Sequence, residues 1–156
     1  MNTLSPQALE LAQALVRINT VSENSNLDLI DLVRAELARH GVESRLTFNE
    51  ERTKANLFAT LGEGKPAGII LSGHTDTVPW DGQDWKFDPL GGEVDGGRLY
   101  GRGSADMKSF IALAVAHAGT FLHSKAPFAI HLALSFDEEV GCFGVRHLIA
   151  DMRDAG

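Results

Sequence analysis

The fold prediction for this chain rests on residues 68–76, Gly-Ile-Ile-Leu-Ser-Gly-His-Thr-Asp. Gly68 to Ser72 is a short, β-branched apolar run, which is the pattern of a strand buried on both faces. His74 and Asp76 follow this strand directly. Residues two apart in an extended chain point to the same side, so we expect these two side chains to lie together at the end of the strand.

More strands are predicted on either side of this segment. Ser44 to Phe48 alternates in polarity, Asn56 to Leu61 follows as a second strand, and Phe128 to Phe136 is a further apolar strand. A turn is expected over Gly62 to Pro66. The sequence from Val94 to Tyr100 predicts a hairpin, because its two adjacent glycines supply the positive φ that a tight turn needs.

Helices are expected between and around the strands. Ser5-Pro6 supplies an N-cap and a proline in the first turn, which together start the first helix. A second helix is predicted from about Leu27 to His40, a largely buried third one from about Asp106 to Leu122, and a last one from Gly144 to Met152. Helices interleaved with strands predict an α/β fold, a layered helix-sheet-helix domain with a mixed, largely parallel sheet.

The composition is that of one globular domain. The chain has 156 residues, of which 44% are hydrophobic and 22% are charged, and this length suffices for a substantial core. The formal net charge of −7 argues against nucleic acid or an anionic membrane as the main partner. The single cysteine, Cys142, rules out an internal disulfide. Met1 to Val16 lacks the pattern of a signal peptide and no apolar run has the length of a membrane span, so a cytoplasmic location is expected.

Three polar segments follow apolar runs and carry the candidate chemistry: Ser72 to Pro79, Gly101 to Lys108, and Ser135 to Gly141. In the first, His74 can bind a metal ion through one ring nitrogen while Asp76 holds the other nitrogen or lies close behind it. A His-Asp pair with a purely structural role fits this segment equally well.

The two acidic segments also have two interpretations each. Asp106 precedes a predicted helix, where a lone aspartate is more often an N-cap. Asp137, Glu138 and Glu139 end a strand. Such a run is commonly a solvated surface, but the carboxyl end of a strand in an α/β sheet is also where ligands bind. Imidazole and carboxylate ligands together suit zinc or a related divalent ion such as cobalt or manganese. Such an ion polarises a carbonyl and activates water, and a nearby Glu moves the proton.

These segments resemble those of the zinc-dependent M20 peptidase and deacetylase family. The resemblance implies that His74 and Glu139 are metal ligands and that Asp106 is a carboxylate bridging two ions. It also implies that Asp76 is a supporting catalytic residue and that Glu138 is the general base. The implied cofactor is Zn²⁺, with two ions in the complete enzyme and Co²⁺ as an alternative, in a zinc-exopeptidase-like catalytic domain.

Within this family the chain most resembles the acetylornithine deacetylases. That resemblance depends on five segments: Thr20-Val21-Ser22, Ser25-Asn26-Leu27, His40-Gly41-Val42-Glu43, Lys54-Ala55-Asn56-Leu57 and Asp137 to Cys142. It implies hydrolysis of the acyl-amide of N2-acetyl-L-ornithine to ornithine and acetate, a step of arginine biosynthesis, with a small N-acyl amino acid as the substrate. Succinyl-diaminopimelate desuccinylases and aminoacylases share the motifs and are alternatives. A non-catalytic metal-binding or interaction module is the alternative from another class.

The resemblance also implies that residues 1–156 are the N-terminal portion of the catalytic domain, with the dimerisation or lid domain absent. Further ligands would then follow Gly156, and the complete enzyme would be a homodimer. Each of two ions would keep only two ligands from this chain, whereas protein zinc sites normally have three or four. We therefore expect the isolated chain to bind zinc weakly and to turn over little or no substrate.

Overall fold

The computed structural model describes residues 5–62 and 68–155. The elements in chain order are α1 (Pro6–Arg17), α2 (Leu27–Ala38), β1 (Ser44–Phe48), β2 (Ala55–Leu61), β3 (Gly68–His74), β4 (Val94–Asp95), β5 (Arg98–Leu99), α3 (Ser109–Ala116), α4 (Ala118–Leu122), β6 (Ala129–Ser135) and α5 (Phe143–Ala155). Most of the predicted turn over Gly62 to Pro66 lies outside the described residues. Among the described helices, none has the length and apolarity needed to span a membrane.

The main sheet has four strands in the order β1-β2-β6-β3. Strands β1 and β2 pair antiparallel, β2 and β6 pair antiparallel, and β3 and β6 pair parallel. The predicted α/β fold with a mixed sheet is confirmed, but the expectation of a largely parallel sheet is wrong for the described strands. The physical reason is the short connection of residues 49–54 between β1 and β2, since a tight hairpin joins only antiparallel strands.

Helices cover both faces of this sheet. On one face, α2 and α4 contact β2 and α1 packs against α3, and Leu57 and Leu61 are buried there with Leu15 and Val33. Each such leucine contributes about 1.5–3 kcal/mol when it is fully buried. On the other face lies α5, where Asn56 Nδ2 donates to the main-chain oxygen of Gly144 at 2.9 Å. The helix-sheet-helix layering predicted from the sequence is therefore present.

Strand β3 differs from its prediction in burial. It is a strand as expected and extends to His74, but Ile69 and Ile70 are 49% and 48% exposed. The prediction of burial on both faces is wrong because β3 lies at the edge of the described sheet and pairs with β6 alone. Only the carboxyl end of β3, Gly73 and His74, is buried.

The predicted helix from Asp106 to Leu122 is divided into three pieces. Residues 104–108 form a separate turn in which Asp106 (φ −125°) and Met107 (φ −138°) are not helical. This turn begins at Gly103, which has a φ of 80° and accepts a hydrogen bond from the main-chain N–H of Lys108 at 2.8 Å. The helix proper begins at Ser109 and breaks at His117, whose side chain bonds the main-chain oxygen of Leu113.

The remaining local predictions agree with the structure. Ser5 caps α1, since its Oγ accepts a hydrogen bond from the main-chain N–H of Ala8 at 3.2 Å. The β4-β5 hairpin turns through Gly96 and Gly97, with φ of 56° and 76°. Helix α2 ends at Ala38, two residues earlier than expected.

Candidate metal centre

Five side chains converge at the carboxyl ends of β3 and β6. His74 is the last residue of β3 and Asp76 follows it, while Glu138 and Glu139 come shortly after β6. Asp106 approaches from the turn that precedes α3. The structure therefore brings together all five residues that the sequence singled out.

The parallel pairing of β3 with β6 explains this convergence. His74 is paired with Ser135, so both strands end at the same edge of the sheet. The main-chain N–H of Thr75 donates to Ser135 O at 2.8 Å, which holds the two chains together one residue further. Beyond that point the Asp76 carboxylate accepts the main-chain N–H groups of Glu138 and Glu139, so the two segments stay in contact. They lie at the carboxyl ends of the strands, where α/β sheets bind ligands.

The two ring nitrogens of His74 have separate partners. Nδ1 lies 3.0 Å from the main-chain oxygen of Asp76 and 3.5 Å from Asp76 Oδ1. Nε2 lies 3.0 Å from Asp106 Oδ1 and 3.9 Å from Glu138 Oε2. Because Nδ1 is occupied by the oxygens of Asp76, Nε2 is the nitrogen available to a metal ion.

The acidic surroundings change the protonation of His74. The hydrogen bond with Asp76, opposed by burial and assisted by Asp106, raises the pKa of His74 to about 9. The metal-free ring is therefore an imidazolium at neutral pH, and a metal ion at Nε2 has to displace a proton.

Asp76 has a buried carboxylate whose oxygens accept hydrogen bonds from the protein. It is 3% exposed, and its Oδ2 accepts hydrogen bonds from Ser22 Oγ at 2.6 Å and from the Glu139 N–H at 3.2 Å. Its Oδ1 accepts from the Glu138 N–H at 3.0 Å. Burial by itself raises the pKa of Asp76, but the hydrogen bonds from His74, Ser22 and the two amides outweigh it and lower that pKa to about 2. Asp76 contacts Nδ1 of the imidazole through its main-chain oxygen at 3.0 Å and through Oδ1 at 3.5 Å, and its carboxylate also holds the amides of Glu138 and Glu139.

Asp106 and Glu138 face solvent, with side chains 76% and 45% exposed. Asp106 does not cap the following helix. The turn that carries it is anchored by Lys108, which is 1% exposed and donates from Nζ to Ile18 O at 2.6 Å. The N-cap interpretation of Asp106 is therefore not supported by its position.

The donor set fits a divalent cation. One ligand atom each from His74, Asp106 and Glu139 lies within 4.8 Å of the others. An imidazole nitrogen and carboxylate oxygens are the donor types that zinc takes, with bonds of about 2.0–2.2 Å. Burial raises the pKa of Glu139, and the charges of Asp106 and Glu138 raise it further against the effect of His74. A cation between these carboxylates would relieve that repulsion.

Three residues at the base of the site were not assigned a role from the sequence. Lys54 Nζ lies 2.6 Å from Asp137 Oδ1 and also donates to the main-chain oxygen of Ser22. Ser22 in turn donates to Asp76. No spacing connects positions 22, 54 and 137 along the chain, so only the resemblance of the segments around them could have drawn attention to them.

Two cavities flank the centre. One of about 240 Å³ is lined by Asp106, Glu139 and Arg102. The Arg102 guanidinium lies 5.1 Å over the Trp85 ring and donates to Gln83 at 2.9 Å, and no described carboxylate forms an ion pair with it. The other cavity, of about 260 Å³, is lined by groups that include His74, Glu138, Met107, Cys142 and Val145.

Known proteins share the fold and much of the sequence of this chain. Residues 70–156 match the model of Peptidase family M20/M25/M40, and the chain belongs to that family. It is 39% identical to a succinyl-diaminopimelate desuccinylase of Rhodospirillum centenum, over 98% of this chain and 41% of the relative. It is 36% identical to an acetylornithine deacetylase of Photorhabdus laumondii, over 96% of this chain and 40% of the relative. The chain thus spans about 40% of the length of these curated relatives.

A solved structure shows the same fold. An M20 family metallo-carboxypeptidase of Sulfolobus solfataricus superposes with a TM-score of 0.83 at 16% identity, covering 96% of this chain and 35% of the other. At this identity the likeness concerns the fold alone.

Proposed function

We propose that residues 1–156 form the N-terminal part of the catalytic domain of a metal-dependent amidohydrolase that acts on N-acyl amino acids. One observation carries this proposal. Ligand atoms of His74, Asp106 and Glu139 lie within 4.8 Å of one another, and Glu138 Oε2 lies 3.9 Å from His74 Nε2. A ligand set with a free carboxylate beside it is the arrangement that metal-assisted amide hydrolysis needs.

His74, Asp106 and Glu139 would hold the cation, with Zn²⁺ as the proposed ion and Co²⁺ as an alternative. When bound, the ion supplies Lewis acidity toward a carbonyl oxygen and toward water. Glu138 accepts the proton of the attacking water and returns it to the leaving nitrogen, a role for which its exposed carboxylate is accessible. Asp76 keeps Nε2 of His74 directed at the site. In the complete enzyme we propose two ions, with Asp106 bridging them.

The proposed substrate is N2-acetyl-L-ornithine, which would place the enzyme in arginine biosynthesis. The segments quoted above and the 36% identity to an acetylornithine deacetylase support this choice. The cavity of about 240 Å³ lies beside two of the proposed ligands, Asp106 and Glu139. The guanidinium of Arg102, which has no carboxylate partner among the described residues, suits the free carboxylate of such a substrate. A homodimer and a cytoplasmic location remain predictions.

A second candidate is removal of the succinyl group from N-succinyl-diaminopimelate. The observation that favours it is the 39% identity to a succinyl-diaminopimelate desuccinylase over 98% of this chain. The two substrates differ in both parts: the succinyl group carries a carboxylate that the acetyl group lacks, and diaminopimelate carries a second α-carboxylate that ornithine lacks. Their relative kcat/KM values therefore separate the two candidates.

The test uses the purified 156-residue chain and, beside it, the product of the complete reading frame in which the chain lies. Both are loaded with Zn²⁺ or Co²⁺ and assayed for amine release from the acetyl and succinyl substrates. We expect hydrolysis by the complete product, with the acetyl substrate preferred, and little or none by the 156-residue chain. Absence of hydrolysis of any N-acyl amino acid by the loaded complete product would contradict the proposal and favour a binding module.

The variant Glu138→Gln tests the proton-transfer role in the complete product. We expect kcat to fall by about 10²–10⁴-fold, the usual contribution of general acid–base catalysis. Metal content should be unchanged, because Glu138 is not among the three grouped ligands. Asp95→Asn, which alters a remote exposed carboxylate paired with Lys86, is the matched control and should keep full activity.

A further inference from the structure

Lys54 forms an ion pair with Asp137, the first residue of the acidic run Asp137-Glu138-Glu139. The distance from Lys54 Nζ to Asp137 Oδ1 is 2.6 Å, and the two side chains are 14% and 17% exposed. Among the described residues, no other cation pairs with Asp137. Lys54 immediately precedes β2, which is paired on both sides, by β1 and by β6, so the ammonium group extends from a rigid part of the sheet.

Asp137 has an uncommon backbone conformation and like-charged neighbours. Its φ of 54° lies in the left-handed region, which few residues other than glycine, asparagine and aspartate adopt. It is also followed by two more carboxylates, whose negative charges repel its own. The ammonium group of Lys54 offsets that repulsion and holds the side chain of Asp137.

The same segment is held from a second direction. The carboxylate of Asp76 accepts the N–H groups of Glu138 and Glu139 at 3.0 and 3.2 Å. Ser22 contacts both residues that hold this segment, since its hydroxyl donates to Asp76 and its main-chain oxygen accepts from Lys54. The turn that carries Glu138 and Glu139 is therefore held at the side chain of Asp137 and at the main-chain amides of the two glutamates.

We infer that Lys54 is a positioning residue of the metal centre, which acts through Asp137 to aim Glu138 and Glu139 at His74. The roles of the two glutamates rest on the proposed function. The placement of their main chain by Lys54 does not, and it is testable without any metal.

The first test measures amide hydrogen exchange of Glu138 and Glu139 by NMR in the metal-free chain. In Lys54→Met we expect both amides to exchange at least tenfold faster than in the wild type. Val33→Ala, which truncates a fully buried side chain of α2, is the control for general destabilisation and should leave these amides protected. Lys86→Met, which removes an exposed ion pair elsewhere, should also leave them protected. Unchanged exchange in Lys54→Met, or equal acceleration in Val33→Ala, would overturn the inference.

The second test measures Co²⁺ affinity by calorimetry and by the visible absorption of bound cobalt. We expect Lys54→Met to bind Co²⁺ about 10–100-fold more weakly, the usual effect of losing a group that supports a ligand. Lys54→Arg should recover at least half of that loss on a logarithmic scale, and both control variants should bind like the wild type. Unchanged affinity in Lys54→Met would mean that the pair does not place Glu139.

If the wild-type chain bound no Co²⁺, the metal centre in the proposed function would be contradicted. The hydrogen-exchange result would still decide whether Lys54 positions the main chain of the two glutamates. Where Lys54→Met does not fold, Asp137→Asn breaks the same pair with a nearly isosteric change and takes its place. The double variant, with Lys54→Met and Asp137→Asn together, should bind Co²⁺ no more weakly than either single variant, because both substitutions remove the same interaction.

Discussion

The two sides of the His74 imidazole are built differently. On the Nδ1 side, Asp76 is 3% exposed and its carboxylate accepts hydrogen bonds from a hydroxyl and two main-chain amides. On the Nε2 side, Asp106 is 76% exposed and Glu138 is 45% exposed. Two aspartates contact one ring, but one is fully committed to protein donors and the other keeps its oxygens available.

This difference separates a carboxylate that is bound to protein donors from carboxylates that are accessible to a cation. A carboxylate whose acceptor sites are taken by buried donors cannot bind a cation without breaking those bonds, and its loss leaves the donors unpaired. An exposed carboxylate beside a histidine nitrogen costs little to retain and is free to coordinate. The four predictions below follow from this contrast.

The largest effect is expected for Asp76→Ala. It leaves the Ser22 hydroxyl, two amides and His74 without their buried partner, and should lower the free energy of unfolding by about 3–5 kcal/mol. Asp106→Ala should change it by no more than about 0.5 kcal/mol, as is usual for exposed positions. Urea denaturation of the metal-free variants measures both values. An equal decrease in the free energy of unfolding in both variants would contradict the contrast between a structural Asp76 and an accessible Asp106.

Metal affinity should show the opposite dependence on exposure. Asp106→Ala removes a proposed ligand and should weaken Co²⁺ binding by more than about 100-fold, beyond the 10–100-fold typical of a supporting group. Asp95→Ala, which removes an exposed carboxylate remote from the centre, is the control. Calorimetry in the same buffer gives both constants. If Asp106→Ala bound Co²⁺ as tightly as the control, Asp106 would not be a ligand.

The stability of the metal-free chain should be greatest between about pH 4 and pH 6.5. The pKa of His74 is raised from 6.5 to about 9, so its contribution is complete below pH 6.5 and is lost as the pH rises through 9. The pKa of Asp76 is lowered from 3.8 to about 2, so its contribution is present above pH 3.8 and is lost as the pH falls through 2. The loss on the alkaline side should be on the order of 3 kcal/mol, because the pKa of His74 is raised by about 2.5 and each pKa unit corresponds to 1.36 kcal/mol.

Urea denaturation at a series of pH values tests this profile. Asp76→Asn should flatten the alkaline limb, because the group that contributes most to the raised pKa of His74 is gone. Asp106→Asn should retain most of the decrease in stability on the alkaline side. A profile that rises from pH 6.5 to pH 9 in the wild type would show that the two groups are not coupled as described.

The smallest expected effect concerns the pH dependence of metal binding. Because His74 is protonated below pH 9, each bound ion releases a proton, and Co²⁺ affinity should increase by about tenfold per pH unit between pH 6 and pH 8. Calorimetry in buffers of different ionisation enthalpy counts the released protons. A constant affinity over this range would place the cation away from Nε2.

Much of the local structure could be predicted because it depends on neighbours along the chain. The Ser5 cap, the β4-β5 hairpin and the apolar runs of β3 and β6 follow from side-chain preferences and periodicity over a few residues. Likewise, polar residues placed directly after two strands predicted a shared site once the strands were assumed to end at one edge.

Burial and breaks were harder to predict. The apolar sequence of β3 predicts a buried strand, yet Ile69 and Ile70 are exposed because burial depends on which strand or helix lies next to them. The apolar run from Asp106 to Leu122 predicts one helix, yet it is interrupted where Gly103 and His117 form local hydrogen bonds that compete with helical ones.

The sequence alone determined the chemistry of this protein: which residues carry imidazole and carboxylate groups, and the strand ends on which they lie. The tertiary structure decided how those groups divide their work. Asp76 and Asp106 are the same residue type, and only the hydrogen-bond donors that the fold places around Asp76 make it a structural carboxylate. Lys54 and Asp137 are 83 positions apart, and only the sheet brings them into contact. Chemical identity is a property of each residue, whereas desolvation and partnership arise when distant segments pack together.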